Sequence, residues 1–301
     1  MKSHQSRKLL KLQVSAGLAN RLRSIDSAVL LSRILNRKLE IEWPINEHLG
    51  ADFNSLFVTP ADFSVFSKTA GFRVLRELLG SIPFFRREKC FLEIGHASLS
   101  RFPLSDDPRQ FFLHQVPLEK VSSSCDDVMI RTDHAFCYPE DFLWLQPIAS
   151  IQEQVERIAC RFNDCAIGLH IRRGDHRLAA ERSPLSTFLR EVERVIDENP
   201  LATFYLATDD VGVRSQLFAR FGDRVVTSGA TICRNTVTGV QAAVVDLVCL
   251  ARCREIWGSF GSSFAETAFH LGGGEFYLID GGNRVFVRGD RKKKGYNMTV
   301  L

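Results

Sequence analysis

Ala166-Ile167-Gly168-Leu169-His170-Ile171-Arg172-Arg173-Gly174-Asp175 is the stretch on which the fold turns. An apolar run of strand character ends abruptly in a histidine, two arginines, a glycine and an aspartate. A charge inside a sheet is costly unless it is paired. The run therefore reads as a buried strand that delivers a cationic cluster to the carboxyl edge of a sheet, where open α/β folds bind their ligands. Two arginines at such an edge suit a diphosphate, because the guanidinium fork matches phosphate oxygens bidentately and stays charged. A structural Arg-Asp pair closing a loop would show the same Arg-Gly-Asp. His170, Asp175 and matching signals downstream favour the ligand site.

Those signals lie at two further strand ends. Residues 203–207 read as a strand whose carboxyl end carries Thr208-Asp209-Asp210, and residues 255–258 as a strand opening into Ser259-Phe260-Gly261-Ser262-Ser263-Phe264. Helices are expected over 185–199, 212–221 and 240–251, the last interrupted by Asp246, with a short strand at 224–226 and a last strand at 276–279. Alternating strands and helices imply a parallel, Rossmann-like sheet, so all three polar ends fall on one side of it.

Upstream, Leu9–Val14 reads as a strand, the turn at Ser15-Ala16-Gly17 enters a helix over 20–36, and Leu39–Trp43 is a second strand stopped by Pro44. Leu22, Ile25, Val29, Leu30 and Ile34 recur at helical spacing. This β-α-β opening is again parallel. Residues 45–150 carry short strand candidates at 56–58, 63–66, 90–94 and 128–132, a helix candidate at 72–79, and dense phenylalanine that reads as core. A helix within 147–163 places the domain boundary near 150, giving an N-terminal α/β domain over 1–150 and a C-terminal Rossmann-like domain over 151–301.

The 301 residues allow two domains with full cores, and 45% hydrophobic with 25% charged residues is an ordinary globular composition. A net charge of +4 does not by itself argue for nucleic acid, although residues 1–43 hold nine Lys/Arg against three Asp/Glu and Arg291-Lys292-Lys293-Lys294 follows near the end. That basic run reads as a solvated charge cluster or a contact with an anionic lipid surface. No apolar stretch approaches the ~18–20 residues that span a bilayer. The basic N-terminus runs into a strand and Gly17, unlike a signal peptide. With no secretory signal and no CxxC spacing, the eight cysteines are expected to be free thiols in a cytoplasmic protein, and no zinc site is expected.

Asp209 and Asp210 invite a divalent ion beside a diphosphate. The arginines already supply the charge a leaving diphosphate needs, so ribose hydroxyls or purine N–H groups are the favoured partners. Asp246, set among valines and leucines, is either a helix-surface residue or a base-recognition carboxylate. The Ser/Gly turn at 259–264 suits phosphate through backbone N–H groups and a helix N-terminus.

His170-Ile171-Arg172-Arg173-Gly174-Asp175 resembles the first peptide motif of the α1,2-, α1,6- and protein O-fucosyltransferase superfamily, which includes the rhizobial nodulation enzymes. Ala207-Thr208-Asp209-Asp210, Asp246, Ile256-Trp257-Gly258-Ser259 and Ser262-Ser263-Phe264 agree with it in order. Gly17-Leu18-Ala19-Asn20-Arg21 and Ile41-Glu42-Trp43 are similar to its N-terminal signature. The resemblance covers about residues 10–45 and 165–270 and leaves 45–150 unmatched. It implies a GT-B fold, two Rossmann-like domains facing a cleft, and an inverting, metal-independent transfer from GDP-fucose to a glycan hydroxyl.

Carried over by position, Arg172 would contact the β-phosphate and stabilise departing GDP, with Arg173 and Asp175 beside it in the catalytic motif. His170 and Asp175 would hold the loop and the nucleotide. Ser262, Ser263 and Phe264 would bind diphosphate, Asp246 would read guanine, and Asp209 and Asp210 would sit near the nucleotide or the reaction centre. Gly17, Asn20 and Arg21 would contribute from the other domain. No cofactor is implied beyond the donor. Glu181 and His176 lie near in sequence, but neither is assigned as general base. A glycan- or nucleotide-binding protein without catalysis, or a transferase for another nucleotide sugar, would use the same scaffold.

Overall fold

The structure, a computed structural model, describes residues 8–69, 90–94, 127–136, 141–174, 177–230 and 233–291. The expected helix at 72–79, Asp175, His176 and Lys292–Lys294 lie outside them. The chain forms two compact units. The first comprises Met1–Ile148 with Arg234–Val240, and the second Ala149–Cys233 with Gln241–Leu301. The segment Arg234–Val240, which sequence reading left in the second domain, thus groups with the first.

The first unit holds a five-stranded sheet of β1 (Leu9–Val14), β2 (Lys38–Ile45), β3 (Phe63–Thr69), β4 (Cys90–Ile94) and β5 (Val128–Thr132), in the order β3-β2-β1-β5-β4. Every pairing is parallel. Helix α1 (Leu18–Ile34) makes the first crossover. Leu10, Leu12 and Val14 alternate into the core, the period-2 signature of a strand. Pro44 does not stop β2, as the sequence suggested. By that point β1 has ended, its last partner on β2 being Glu42, while Pro44 still pairs with Lys68 of β3. A missing N–H costs nothing on a side with no neighbour. The region at 56–58 forms no strand; a 3-10 turn at Phe53–Ser55 precedes it. Phe53, Phe63, Trp43 and Trp144 pack edge-on and stacked with centroids 5.4–6.4 Å apart, so among the described residues Phe53 and Phe63 are core, whereas Phe66 is exposed.

The second unit begins with α2 (Ala149–Ala159). It then builds a six-stranded sheet from β6 (Ile167–Ile171), β7 (Phe204–Thr208), β8 (Val225–Val226), β9 (Glu255–Ser259), β10 (Gly274–Asp280) and β11 (Asn283–Arg291), ordered β11-β10-β9-β6-β7-β8. Intervening helices are α3 (Arg177–Arg182), α4 (Leu185–Glu198), α5 (Val211–Phe221), α6 (Val237–Ala251) and α7 (Ser263–Gly272). All pairings are parallel except β10 with β11. Every residue of β6 and of β7 is buried, as a sheet covered on both faces requires. Phe188 and Val192 of α4 and Val213 and Leu217 of α5 cover Leu169, Leu206 and Trp257 on one face. Each such fully buried side chain contributes roughly 1.5–3 kcal/mol.

Two sequence expectations change here. Asp246 does not interrupt α6, which runs unbroken. The strand at 276–279 is not the last, because β11 follows through a two-residue turn, Gly281-Gly282, with φ of 55° and 86°. Positive φ at both positions is the hairpin geometry that Gly-Gly allows.

Candidate active site

The strand order of the second unit fixes where a ligand crevice must lie. From β6 the chain moves outward to β7 and β8, then returns to the other side of β6 for β9 and β10. The switch point falls between β6 and β9, whose carboxyl ends carry Arg172 and Ser259. Open parallel sheets bind ligands at this position because the two loops diverge there.

Ser259 ties the two ends together. Its hydroxyl donates to the carbonyl of His170 at 3.2 Å and accepts the N–H of Arg172 at 3.1 Å. Beside it, the hydroxyl of Ser262 lies 2.9 Å from Nδ1 of His170 and accepts the N–H of Ala265. With that lone pair occupied, the hydroxyl proton is available to the imidazole. The ring also stacks on Phe264, with centroids 5.0 Å apart. Burial pushes the His170 pKa down to about 4, Arg172 adds to the shift, and Asp209 opposes it. His170 is therefore neutral at physiological pH, a spacer and hydrogen-bond partner rather than a cation.

Ser262 is the N-cap of α7 and its hydroxyl satisfies the third helical N–H. The first two, of Ser263 and Phe264, precede the reach of intrahelical bonding, and no acceptor for them lies among the described residues. The positive end of α7 thus presents unspent donors beside the arginine loop, the arrangement that accepts phosphate. Ser262, Ser263 and Phe264 are brought together with His170 and Arg172, all in one unit.

The two arginines differ. Arg173 directs Nη1 to the carbonyl of Arg172 at 3.0 Å and Nη2 to the carbonyl of Ser183 at 2.7 Å. Its pKa is lowered by burial, against the opposing pull of Asp209 and Asp210. Arg173 is a brace for the loop, whereas half-buried Arg172 is held at both its N–H and its carbonyl. Asp209 accepts the N–H groups of Arg173 and Gly174, one on each carboxylate oxygen, at 2.8 and 3.1 Å. A Cβ on Gly174 would stand 2.9 Å from that carboxylate, so a larger residue would push the Asp209 oxygen aside. Asp210 caps α5, accepting the N–H of Val213 at 2.9 Å. Both aspartates, expected near the nucleotide, spend these oxygens on their own chain.

Asp246 is not a helix-surface residue. It is 2% exposed, and the hydroxyl of Tyr205 on β7 donates to it at 2.5 Å. Burial pushes its pKa up to about 6, only partly offset by the Tyr205 bond and the charge of Arg214.

In the first unit, Gly17 is the N-cap of α1 with extended backbone, and a Cβ there would meet nothing within 4 Å. The left-handed residue of that turn is Ala16, at φ 61°. Half-buried Asn20 follows in the first turn of α1, its carbonyl accepting from Ser24. Arg21 is 0% exposed. Its guanidinium bonds the carbonyls of Ala16 and Pro44 and the side chain of Asn46, and lies 4.9 Å over the Trp43 ring. It fastens the β1–α1 turn to the end of β2, and burial lowers its pKa to about 10.

Sequence reading missed Ser183 and the hydroxyl role of Ser259. Neither stands out by type. Ser183 precedes Pro184 at the start of α4, which in sequence signals only a helix entrance.

No family profile and no curated protein matches the sequence. Solved structures do match the fold. The NodZ fucosyltransferase from Bradyrhizobium superposes with a TM-score of 0.60 at 18% identity, over 95% of this chain and all of that one. NodZ soaked with GDP-fucose gives 0.61. FUT1 of Arabidopsis thaliana in complex with GDP gives 0.56 at 14% identity, over 91% of this chain and 70% of that one. POFUT1 gives 0.53 at 10%, over 90% and 96%. The chain therefore has the α/β fold of the GT-B fucosyltransferases, the superfamily its motif resembles.

Proposed function

We propose that the protein is an inverting glycosyltransferase that moves L-fucose from GDP-fucose to a glycan hydroxyl without a metal ion, working in the cytoplasm. The observation that carries this reading is the juxtaposition at the β6–β9 switch point: Arg172, its backbone held by the Ser259 hydroxyl and the Arg173 guanidinium, beside the unspent N–H donors of α7. Cleavage of a sugar–phosphate bond leaves an oxocarbenium-like sugar and places extra negative charge on the diphosphate. Fixed donors aimed at that charge stabilise the transition state without reorganising, and one such donor is worth ~3–4 kcal/mol.

In this reading Arg172, with Ser263 and Phe264 through their N–H groups, meets the diphosphate. Neutral His170 keeps the serine turn in register without competing for the anion. Asp175 completes the motif. Arg173, Asp209 and Asp210 hold the loop and α5 rather than the nucleotide. Asp246 supports β7 through Tyr205, since a carboxylate covered by its own chain has no free face for guanine. Of the two neighbours considered as general base, Glu181 is engaged by Arg177 at 2.7 Å, so the base is left unassigned.

Calorimetry of GDP-fucose binding in EDTA, for wild type and Arg172→Ala, tests the reading. Binding by the wild type that is lost in the variant supports donor and metal-free chemistry together. No binding of GDP or GDP-fucose overturns it and directs the search to other nucleotide sugars.

A further inference from the structure

We propose that Ser183 is a positioning residue that sets the spacing between the arginine loop and the serine turn, and so governs how the site grips the terminal phosphate of a nucleoside diphosphate. The proposal rests on the donor reading above.

Ser183 is 0% exposed and lies between α3 and α4. Its hydroxyl donates to the carbonyl of Ile279 on β10 at 2.5 Å and accepts the N–H of Phe260, in the serine turn, at 2.7 Å. Its carbonyl accepts Nη2 of Arg173 at 2.7 Å. One residue therefore joins the loop after β6, the turn after β9 and the end of β10. A hydroxyl that both donates and accepts has the right chemistry for this, because it satisfies a carbonyl and an N–H that would otherwise be left without partners in a buried place. Arg182 reinforces the joint: its guanidinium pairs with Asp280 and lies 3.7 Å over the Phe260 ring, and its carbonyl accepts the N–H of Gly281.

The Phe260 bond also sorts the donors of the turn. It removes the Phe260 N–H from any ligand and leaves the α7 N-terminus to face the anion. A small shift of this turn would misalign the donors at the terminal phosphate while leaving the nucleoside's own contacts intact.

The test compares GDP with GMP by calorimetry on the full chain, for wild type and Ser183→Ala, alongside amide exchange without nucleotide. GDP binding should weaken about tenfold and GMP binding stay within about twofold, while exchange quickens at both 172–174 and 260–264. A general loss of structure would weaken both nucleotides alike, and that result overturns the proposal, as does unchanged GDP affinity or unchanged exchange at either segment. If Ser183→Ala does not fold, Ser183→Cys, a weaker donor, should show the same GDP-specific loss at reduced size; equal losses overturn the proposal. Wild-type protein that binds neither nucleotide overturns the donor reading and the phosphate half of this proposal, and exchange alone then decides whether Ser183 spaces the two segments.

Discussion

Nδ1 of His170 lies 2.9 Å from the hydroxyl of Ser262, and this contact joins the carboxyl end of β6 to the N-cap of α7. The strand that carries the arginines and the helix that offers its positive end are thus registered by an uncharged pair. Removing the Ser262 hydroxyl in Ser262→Ala should cost about 1 kcal/mol through the lost cap and weaken GDP binding, both readable by denaturant titration and calorimetry.

Acid stability should show two opposed groups. His170 has a folded pKa of about 4, below its ordinary 6.5, so the unfolded chain binds the proton more readily and stability falls as pH drops from 6.5 to 4. Asp246 has a folded pKa of about 6, above 3.8, so its contribution is present at low pH and is lost as pH rises from 3.8 to 6. The two nearly offset between pH 4 and 6. Asp246→Asn should therefore uncover a loss of stability on acidification of at most about 3 kcal/mol, measured by urea titration at pH 6.5 and 4.5. A flat profile in that variant would contradict the buried neutral histidine.

Arg172 and Arg173 should separate experimentally. Arg172→Ala should reduce transfer by two to three orders of magnitude, as loss of a transition-state donor does. Arg173→Ala strips a bond from two backbone carbonyls and should destabilise the fold by about 1–3 kcal/mol. An unchanged midpoint in Arg173→Ala, or unchanged transfer in Arg172→Ala, would refute the division of labour.

Asp209→Asn replaces one of two accepting oxygens with a donor that faces a backbone N–H. Amide exchange at Arg173 and Gly174 should accelerate, and GDP affinity should fall several-fold. If Asp209 instead held a metal, EDTA would reproduce the loss in wild type; we expect EDTA to have no effect.

Arg21→Ala should destabilise the first unit by about 3 kcal/mol, because three acceptors and the Trp43 face lose their partner in the interior. Calorimetric scanning would report it. Arg21→Lys should recover little of it, since a single ammonium cannot reproduce the fork.

Much of this architecture is legible in the chain. Apolar runs ending in polar residues mark β6, β7 and β9, and their order with intervening helices implies parallel strands whose polar ends share an edge. Gly281-Gly282 is an equally readable hairpin signal, and it leads into β11. Pro44 misled because a proline's effect depends on which neighbour its strand still has, and that is a property of the sheet.

The sequence by itself determined that His170, Arg172 and the turn at 259–264 would meet at a sheet edge, because hydrophobic period and strand polarity are local and set which end carries charge. Tertiary structure alone decided what each polar group does there. Whether an arginine reaches a ligand, as proposed for Arg172, or a carbonyl of its own chain, as Arg173 does, depends on partners distant in sequence: Ser183 for Arg173, Tyr205 for Asp246, Ser259 for Arg172. A buried polar group must find a partner wherever packing puts one, and no residue's identity names that partner in advance.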